Sequence, residues 1–407
     1  MDISTHRRAA APARMLLQFA AAAALLAGCG GGGDTGTSSL PAGNSGANTS
    51  SFAAGAISGF GSVIVNGVRF DDSAARIVDD DGRAGDSSAL KLGMRVEIDG
   101  GAVSDDGTGP RAAAKEIRFG SELVGPVASV DATAKSLVIL GQTVLVVDTT
   151  VIDDRLVGGF AAIAVGSLVE VHGTRDAVTG AITATRIEPT AAAAGFKLRG
   201  VVAHLDSTAK TFTIGAALVS YAGVSPVPAN LANGLIVRVR VQPTPVAGAL
   251  VATRIDVATP RVDDANEAEI EGSITALTSS ASFSVNGIAV DASSATFPQG
   301  TTGLVLGAQV EVHGTSSNGV VMASRVEVED RAQRHAQGFE LHGAITALDT
   351  GAKTFVLRGV SVSYGGTAVD FRKGTAAQLA VGVQLEVRGT LSTDGTMLQA
   401  MRISFGD

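Results

Sequence analysis

The sequence predicts an all-β chain: five tandem small barrels of the five-stranded Greek-key type, in an elongated array behind a leader and a tether. Three observations carry this. Apolar and polar residues alternate with period two in glycine-bounded runs, the signature of strands. A glycine-led phrase recurs five times, as "GMRVEIDG" from Gly93, "GSLVEVHG" from Gly166, "GLIVRVRV" from Gly234, "GAQVEVHG" from Gly307 and "GVQLEVRG" from Gly382. Each copy is preceded by an opening phrase such as "GPVASVDATAKSLVILG" and followed by a closing phrase such as "TATRIEP", always in that order. Successive glycines lie 73, 68, 73 and 75 residues apart, so the repeat is read before any fold is assigned.

Each unit offers five strands. The first two form a hairpin, clearest in "VDATAKSL", "LDSTAKTF" and "LDTGAKTF", where Asp131, Asp206 and Asp349 are placed to accept turn N–H groups. A third strand follows, then an alanine- and leucine-rich stretch with room for a short helix or turn. The "VEV" and "RI" strands close the unit. Strand-strand-strand, short helix, strand-strand is the order of an OB-like barrel, although an open two-layer sandwich has the same periodicity. Closure removes exposed strand edges, and the glycines flanking "VEV" suit tight turns or barrel corners. The units are assigned to 52–120, 121–190, 195–258, 268–330 and 338–406. With short linkers between units, an elongated rod with modest contacts between neighbours is expected.

Charges along the last two strands suggest that they pair. Glu170, Glu311 and Glu386 are matched by Arg186, Arg325 and Arg402, and Glu97 by Arg118. In the third unit the sign inverts, with Arg238 in the glutamate position and Asp256 in the next strand. That unit also lacks the closing glycine, Val241 standing there, and some distortion is expected.

The first 28 residues read as a secretory signal: Arg7, Arg8 and Arg14, then an apolar run from Met15 to Ala27 too short to span a bilayer. Leu26-Ala27-Gly28-Cys29 resembles the lipobox of bacterial lipoproteins. The resemblance implies diacylglyceryl transfer to Cys29, cleavage after Gly28 and acylation of the new terminus. Gly30 in place of an aspartate implies transfer to the outer membrane of a Gram-negative cell. Three acyl chains, at roughly 0.8 kcal/mol per buried methylene, anchor permanently. Residues 29–51 then form a flexible tether of small polar residues, spanning about 25 Å.

Removing residues 1–28 takes three arginines and one aspartate from totals of 31 basic and 39 acidic residues, which moves the net charge from −8 to −10. An acidic chain without a basic stripe argues against nucleic acid as a partner. With the lone cysteine acylated, no disulfide is expected, and the lipid is the anchor to the membrane. Oligomeric state is not readable.

Catalytic constellations are absent from the sequence: no G-x-S-x-G phrase, Walker loop or H-E-x-x-H phrase occurs. His172 and His313 occupy a position held by Asp99, Arg240 and Arg388 in the sister units, and alternation puts both on the wet face, as structural residues. His204 and His342 sit at first strands without a repeated acidic partner, and His335 lies in a linker. The best cation candidate is Asp79, Asp81 and Asp86 around Gly82, offering oxygen ligands to calcium, although the spacing fails the EF-hand pattern. No cofactor is expected. With no tryptophan, and with Phe212, Phe283 and Phe355 in core phase, stacking platforms for bases or sugars are disfavoured.

Together, the lipobox, the tether and the repeated G-x-x-V-E-V-x-G … A-x-R-I phrases resemble bacterial lipoproteins with tandem copies of a domain of unknown function, the 5666 family. The resemblance implies a small β domain and an envelope location, without an activity. The leading expectation is a non-enzymatic structural, scaffold or adhesion-type binding protein. The competing one is a binding protein for calcium or a small solute, centred on the acidic loop of the first unit.

Overall fold

The computed structural model describes residues 50–107, 109–191, 195–329, 338–366 and 368–406. The expected signal, Cys29 and nearly all of the tether lie outside these residues, as does His335.

Strand pairing settles the choice between barrel and sandwich. In the second unit the strands are Leu123–Asp131, Ser136–Ile139, Gln142–Leu145, Leu168–Arg175 and Ile182–Pro189. The first pairs antiparallel with the second and the second with the third, and the third runs parallel to the fifth. The fifth pairs with the fourth, and the fourth returns to the first, so the ring closes. The same circuit closes in the other four units. The described residues thus form five small closed barrels, with the Greek-key order of the OB type. Barrel 3 closes like the rest, with a local irregularity where its first strand breaks at Val202 and His204 takes a φ of 50°. The variable stretch before the fourth strand contains a short 3-10 turn in barrels 1, 2 and 5, at Ser87–Ala89, Gly159–Ala162 and Ala376–Gln378.

Local chemistry explains the repeated residues. Asp131, Asp206 and Asp349 each accept two turn N–H groups, at 2.8–2.9 Å. Gly93, Gly166, Gly234, Gly307 and Gly382 all have φ between 81° and 91°. Each donates its N–H to a carbonyl where the first strand bends, for example Gly382 to Ile345 at 2.9 Å. Every fourth strand also carries a register shift near its end, as at Arg388/Gly389. A Cβ at Gly389 would lie 2.1 Å from the Gln399 carbonyl oxygen. Phe212, Phe283 and Phe355 are buried, and Tyr221 and Tyr364 pack on Phe212 and Phe355.

The expected elongated array is not what forms. Barrel 1 touches all four of its sisters. Its first strand, Ser51–Phe60, pairs through residues 51–56 with its own fourth strand and through 57–59 with its own second strand. Each half keeps one free edge, and these edges dock other barrels. Ser51–Ala54 runs parallel to Glu267–Ile270 of barrel 4, and Gly59–Phe60 runs parallel to Glu340–Leu341 of barrel 5. Leu123 and Val124 of barrel 2 pair antiparallel with Leu198 and Lys197 of barrel 3. The cores merge accordingly: barrels 2 and 3 share one apolar cluster, and Phe52 belongs to that of barrel 4. A free strand edge is a strong driver of association, and periodicity alone does not show which edges remain free.

A Cβ at Gly382 meets no atom within 4 Å, so Gly382→Ala isolates the cost of the left-handed backbone. The variant is expected to lose about 1–2 kcal/mol of stability. A urea midpoint equal to that of the parent would contradict the role assigned to this turn.

Candidate functional site

The outer faces of barrels 1 to 4 converge, and ionic contacts organise the junction. In barrel 1, the Asp79 carboxylate accepts from the N–H groups of Asp81 at 2.9 Å and Arg83 at 2.8 Å, curling the acidic loop on itself. This presents Asp80 and Asp81 to barrel 3. Lys197 Nζ lies 2.8 Å from Asp80, Arg238 lies 3.8 Å from both aspartates, and Arg240 bonds Asp81. Burial raises the Asp81 carboxyl, but Arg240, Arg238 and Arg83 more than offset it and leave it below the usual range.

The calcium candidates are therefore not gathered as expected. Asp79 serves its own loop, Asp81 is taken by guanidinium groups, and Asp86 caps the 3-10 turn by accepting from Ser88 N at 2.7 Å. Neutralisation by arginine leaves a divalent cation little charge to bind. The inverted sign of barrel 3 now has its reason, because its cationic face receives these aspartates. Arg238 also meets Asp256 at 3.3 Å, as the sequence suggested.

Beside this contact lies a cavity of about 450 Å³, lined by all four barrels. Barrel 1 contributes Arg95 and Arg118, barrel 2 Glu122 and Arg175, barrel 3 Arg199 and Val257, and barrel 4 Glu271 and Asn286. Arg118 binds Glu97, Asp99 and Glu116 at 3.2, 2.6 and 3.0 Å, and Arg199 binds Glu122 at 2.6 Å. Several buried atoms on the wall have no hydrogen-bond partner: Arg95 Nη1, Arg175 Nε, Ser121 Oγ and Glu122 Oε2. An unpaired buried polar group costs roughly 1–3 kcal/mol, so such a set calls for an occupant.

The histidines differ from expectation. His172 is not on a wet face. It is 1% exposed, with Nδ1 3.0 Å from the Gly120 carbonyl oxygen, because neighbouring units cover the outside of barrel 2. Burial, with the cations of Lys197 and Arg186 nearby, pushes its pKa down to about 4. His313 stays partly exposed, 3.8 Å from Glu269 and 3.5 Å from Glu311. His342 contacts Glu340, a pairing that His204 does not share because Val202 stands two positions before it. Among the described residues, Glu269–Glu311–His313 and Glu340–His342–Glu386 each bring three metal-capable donor atoms within 4.8 Å of one another. In the second group Arg69 and Arg388 already bind Glu340, whose carboxyl falls to about 2 because these partners and His342 outweigh its burial. In the first group Glu269 is raised, by burial and then by its hydrogen bond and repulsion with Glu311.

The last two strands do pair, but in most barrels the expected cross-strand ion pairs do not form. Register sets Glu170 opposite Glu188 and His172 opposite Arg186. Arg186 consequently binds Asp153 and Glu188, Arg325 binds Glu327, and Arg402 binds Asp370. Glu97–Arg118 forms as expected.

Residues 124–188, 271–327 and 342–404 match the profile of a domain of unknown function, DUF5666. Three of the barrels are DUF5666 domains. Barrels 1 and 3, outside the matched segments, share the DUF5666 circuit of strands while supplying both sides of the ionic contact. The chain is similar to the Drosophila Unr CSD456 structure at 14% identity, over 56% of this chain and 100% of that one, with a TM-score of 0.14. At that score the likeness carries no weight, and the barrel assignment rests on the pairings. No curated protein matches the chain.

The folded pKa of His172 lies below the unfolded value of 6.5. As pH falls, the unfolded chain therefore binds the proton first and stability is lost. Between pH 6.5 and 5 the loss is expected to be about 2 kcal/mol, and His172→Gln should flatten it in melts across that range. An unchanged slope would mean that His172 takes up its proton while folded.

Glu269 is the opposite case. Its folded pKa is raised, so stability declines as pH rises above the ordinary carboxylate range. Glu269→Gln, which mimics the protonated acid, is expected to raise Tm at pH 8 and to change it little at pH 4. A lower Tm at pH 8 would contradict this assignment.

Proposed function

We propose that this chain is a non-enzymatic, lipid-anchored binding protein of the bacterial cell envelope, in which a scaffold of barrels encloses a solute site where four of them meet. The cavity with its unpartnered buried atoms carries the reading. Its volume falls within the usual range for small-molecule sites. Most of its charged groups are held in ion pairs, which suits holding a solute better than moving protons. The anchoring part rests on Leu26-Ala27-Gly28-Cys29 and the acidic, single-cysteine composition, with the outer membrane as the expected destination.

A second reading, cation binding, draws support from Glu269, Glu311 and His313 rather than from Asp79, Asp81 and Asp86. Two carboxyl groups and an imidazole offer a mixed oxygen and nitrogen donor set, and Glu269 is short of positive charge.

Two measurements test the main reading. Val257, 43% exposed on the cavity wall, accepts a larger side chain toward the empty space. Native mass spectra of protein extracted gently from membranes should show a small-molecule adduct in the parent and none in Val257→Trp. Identical spectra would remove the solute site. Feeding cells an alkyne-tagged fatty acid should label the parent but not Cys29→Ala, and equal labelling would rule out this anchor.

A further inference from the structure

We infer that the occupant of the junction cavity is an amphiphile with an anionic head group, a carboxylate or a phosphate monoester, gripped by Arg95 and Arg175. The inference rests on the solute-binding reading above and adds the chemistry of the ligand.

The arginines around the cavity divide into two sets. Arg76, Arg118, Arg199, Arg238 and Arg261 each contact a carboxylate within the protein. Arg95 and Arg175 do not: among the described residues, their hydrogen bonds go to neutral oxygens. Arg95 Nη2 donates to the Glu271 main-chain carbonyl at 2.9 Å. Arg175 donates at 2.8 Å to Gln142 Oε1 and to the carbonyls of Gly180 and Arg199.

Both guanidiniums are lowered from the ordinary arginine range, burial being the largest cause. Arginine cannot shed its proton to escape that cost. Glu271, Glu122 and Glu97 around Arg95, and Glu122 near Arg175, offset only part of that burial, and the unused donors Arg95 Nη1 and Arg175 Nε line this cavity. Planar guanidinium donors match carboxylate and phosphate oxygens, so an anion would both compensate the charge and fill the donors. Ser121 Oγ, on a residue 1% exposed, is a further unpartnered group on the same wall.

The body of the ligand follows from the other lining residues. Val201 and Val257 are each 43% exposed on the wall, and Ile236 lies with them. A short hydrocarbon covering these side chains while its head reaches the arginines uses both features. A bare inorganic anion would use only one.

The test compares four six-carbon probes on the full processed chain, with calorimetry and thermal melting as readouts: hexanoate, hexyl phosphate, hexanamide and hexylammonium. Hexanoate or hexyl phosphate should raise Tm and bind at least tenfold more tightly than the amide, with the ammonium weakest. Their relative affinity identifies the head group. Arg95→Met should abolish that tenfold preference, bringing hexanoate and hexyl phosphate to the level of hexanamide. Arg175→Gln gives a second reading of the same preference, and melts of both unliganded variants check that each remains folded. Amide binding equal to hexanoate binding would overturn the anionic head and leave the solute site standing. Failure of all four probes would overturn this inference. Only if the extracted protein also lacked the small-molecule adduct would the solute site fall with it.

Discussion

The interaction on which the assembly depends is the seating of Asp80 and Asp81 from barrel 1 among Lys197, Arg238 and Arg240 of barrel 3. Asp81 and Lys197 keep only 6% and 4% of their side chains exposed, so neither charge retains much water. Groups desolvated to that degree are tolerable only in each other's company, and removing one strands the other. The contact therefore acts as a specificity device more than a source of net stability. It holds barrel 1 in the one orientation that lays its first strand along barrels 4 and 5 and closes the cavity between its neighbours.

Much of the fold was readable because it is encoded locally. Alternation gave the strands, the aspartates of the hairpin gave the first turns, and the five glycines marked the bend before each fourth strand. The packing of barrels was not readable in the same way. Alternation tells which side chains leave a barrel's core, but not whether water or a neighbour covers them. His172 shows the difference, since it points outward from its barrel as expected and is nonetheless buried.

Two signals pointed to the missing information. Phe52 stands in the first strand where the sister barrels carry Glu122, Lys197, Glu269 and Glu340, and a phenylalanine facing outward there marks a surface to be covered. The acidic run Asp79–Asp80–Asp81 and the cationic set Lys197, Arg238 and Arg240 are likewise complementary, although each read alone resembles a solvated patch. The cavity was less accessible, because Arg95, Arg175 and Val257 come from three different units and share no motif. The repeats show how one backbone can carry several identities. At matched positions barrel 4 has Glu269 with His313, barrel 5 has Glu340 with Arg388, and barrel 3 has Lys197 with Arg240.

The parallel seams made by Ser51–Phe60 join segments more than two hundred positions apart in the chain. A solenoid can gain or lose a module because each contacts only the modules beside it. Here the first module is a keystone against which the later ones rest, so deleting or duplicating an internal copy would shift its partners out of reach.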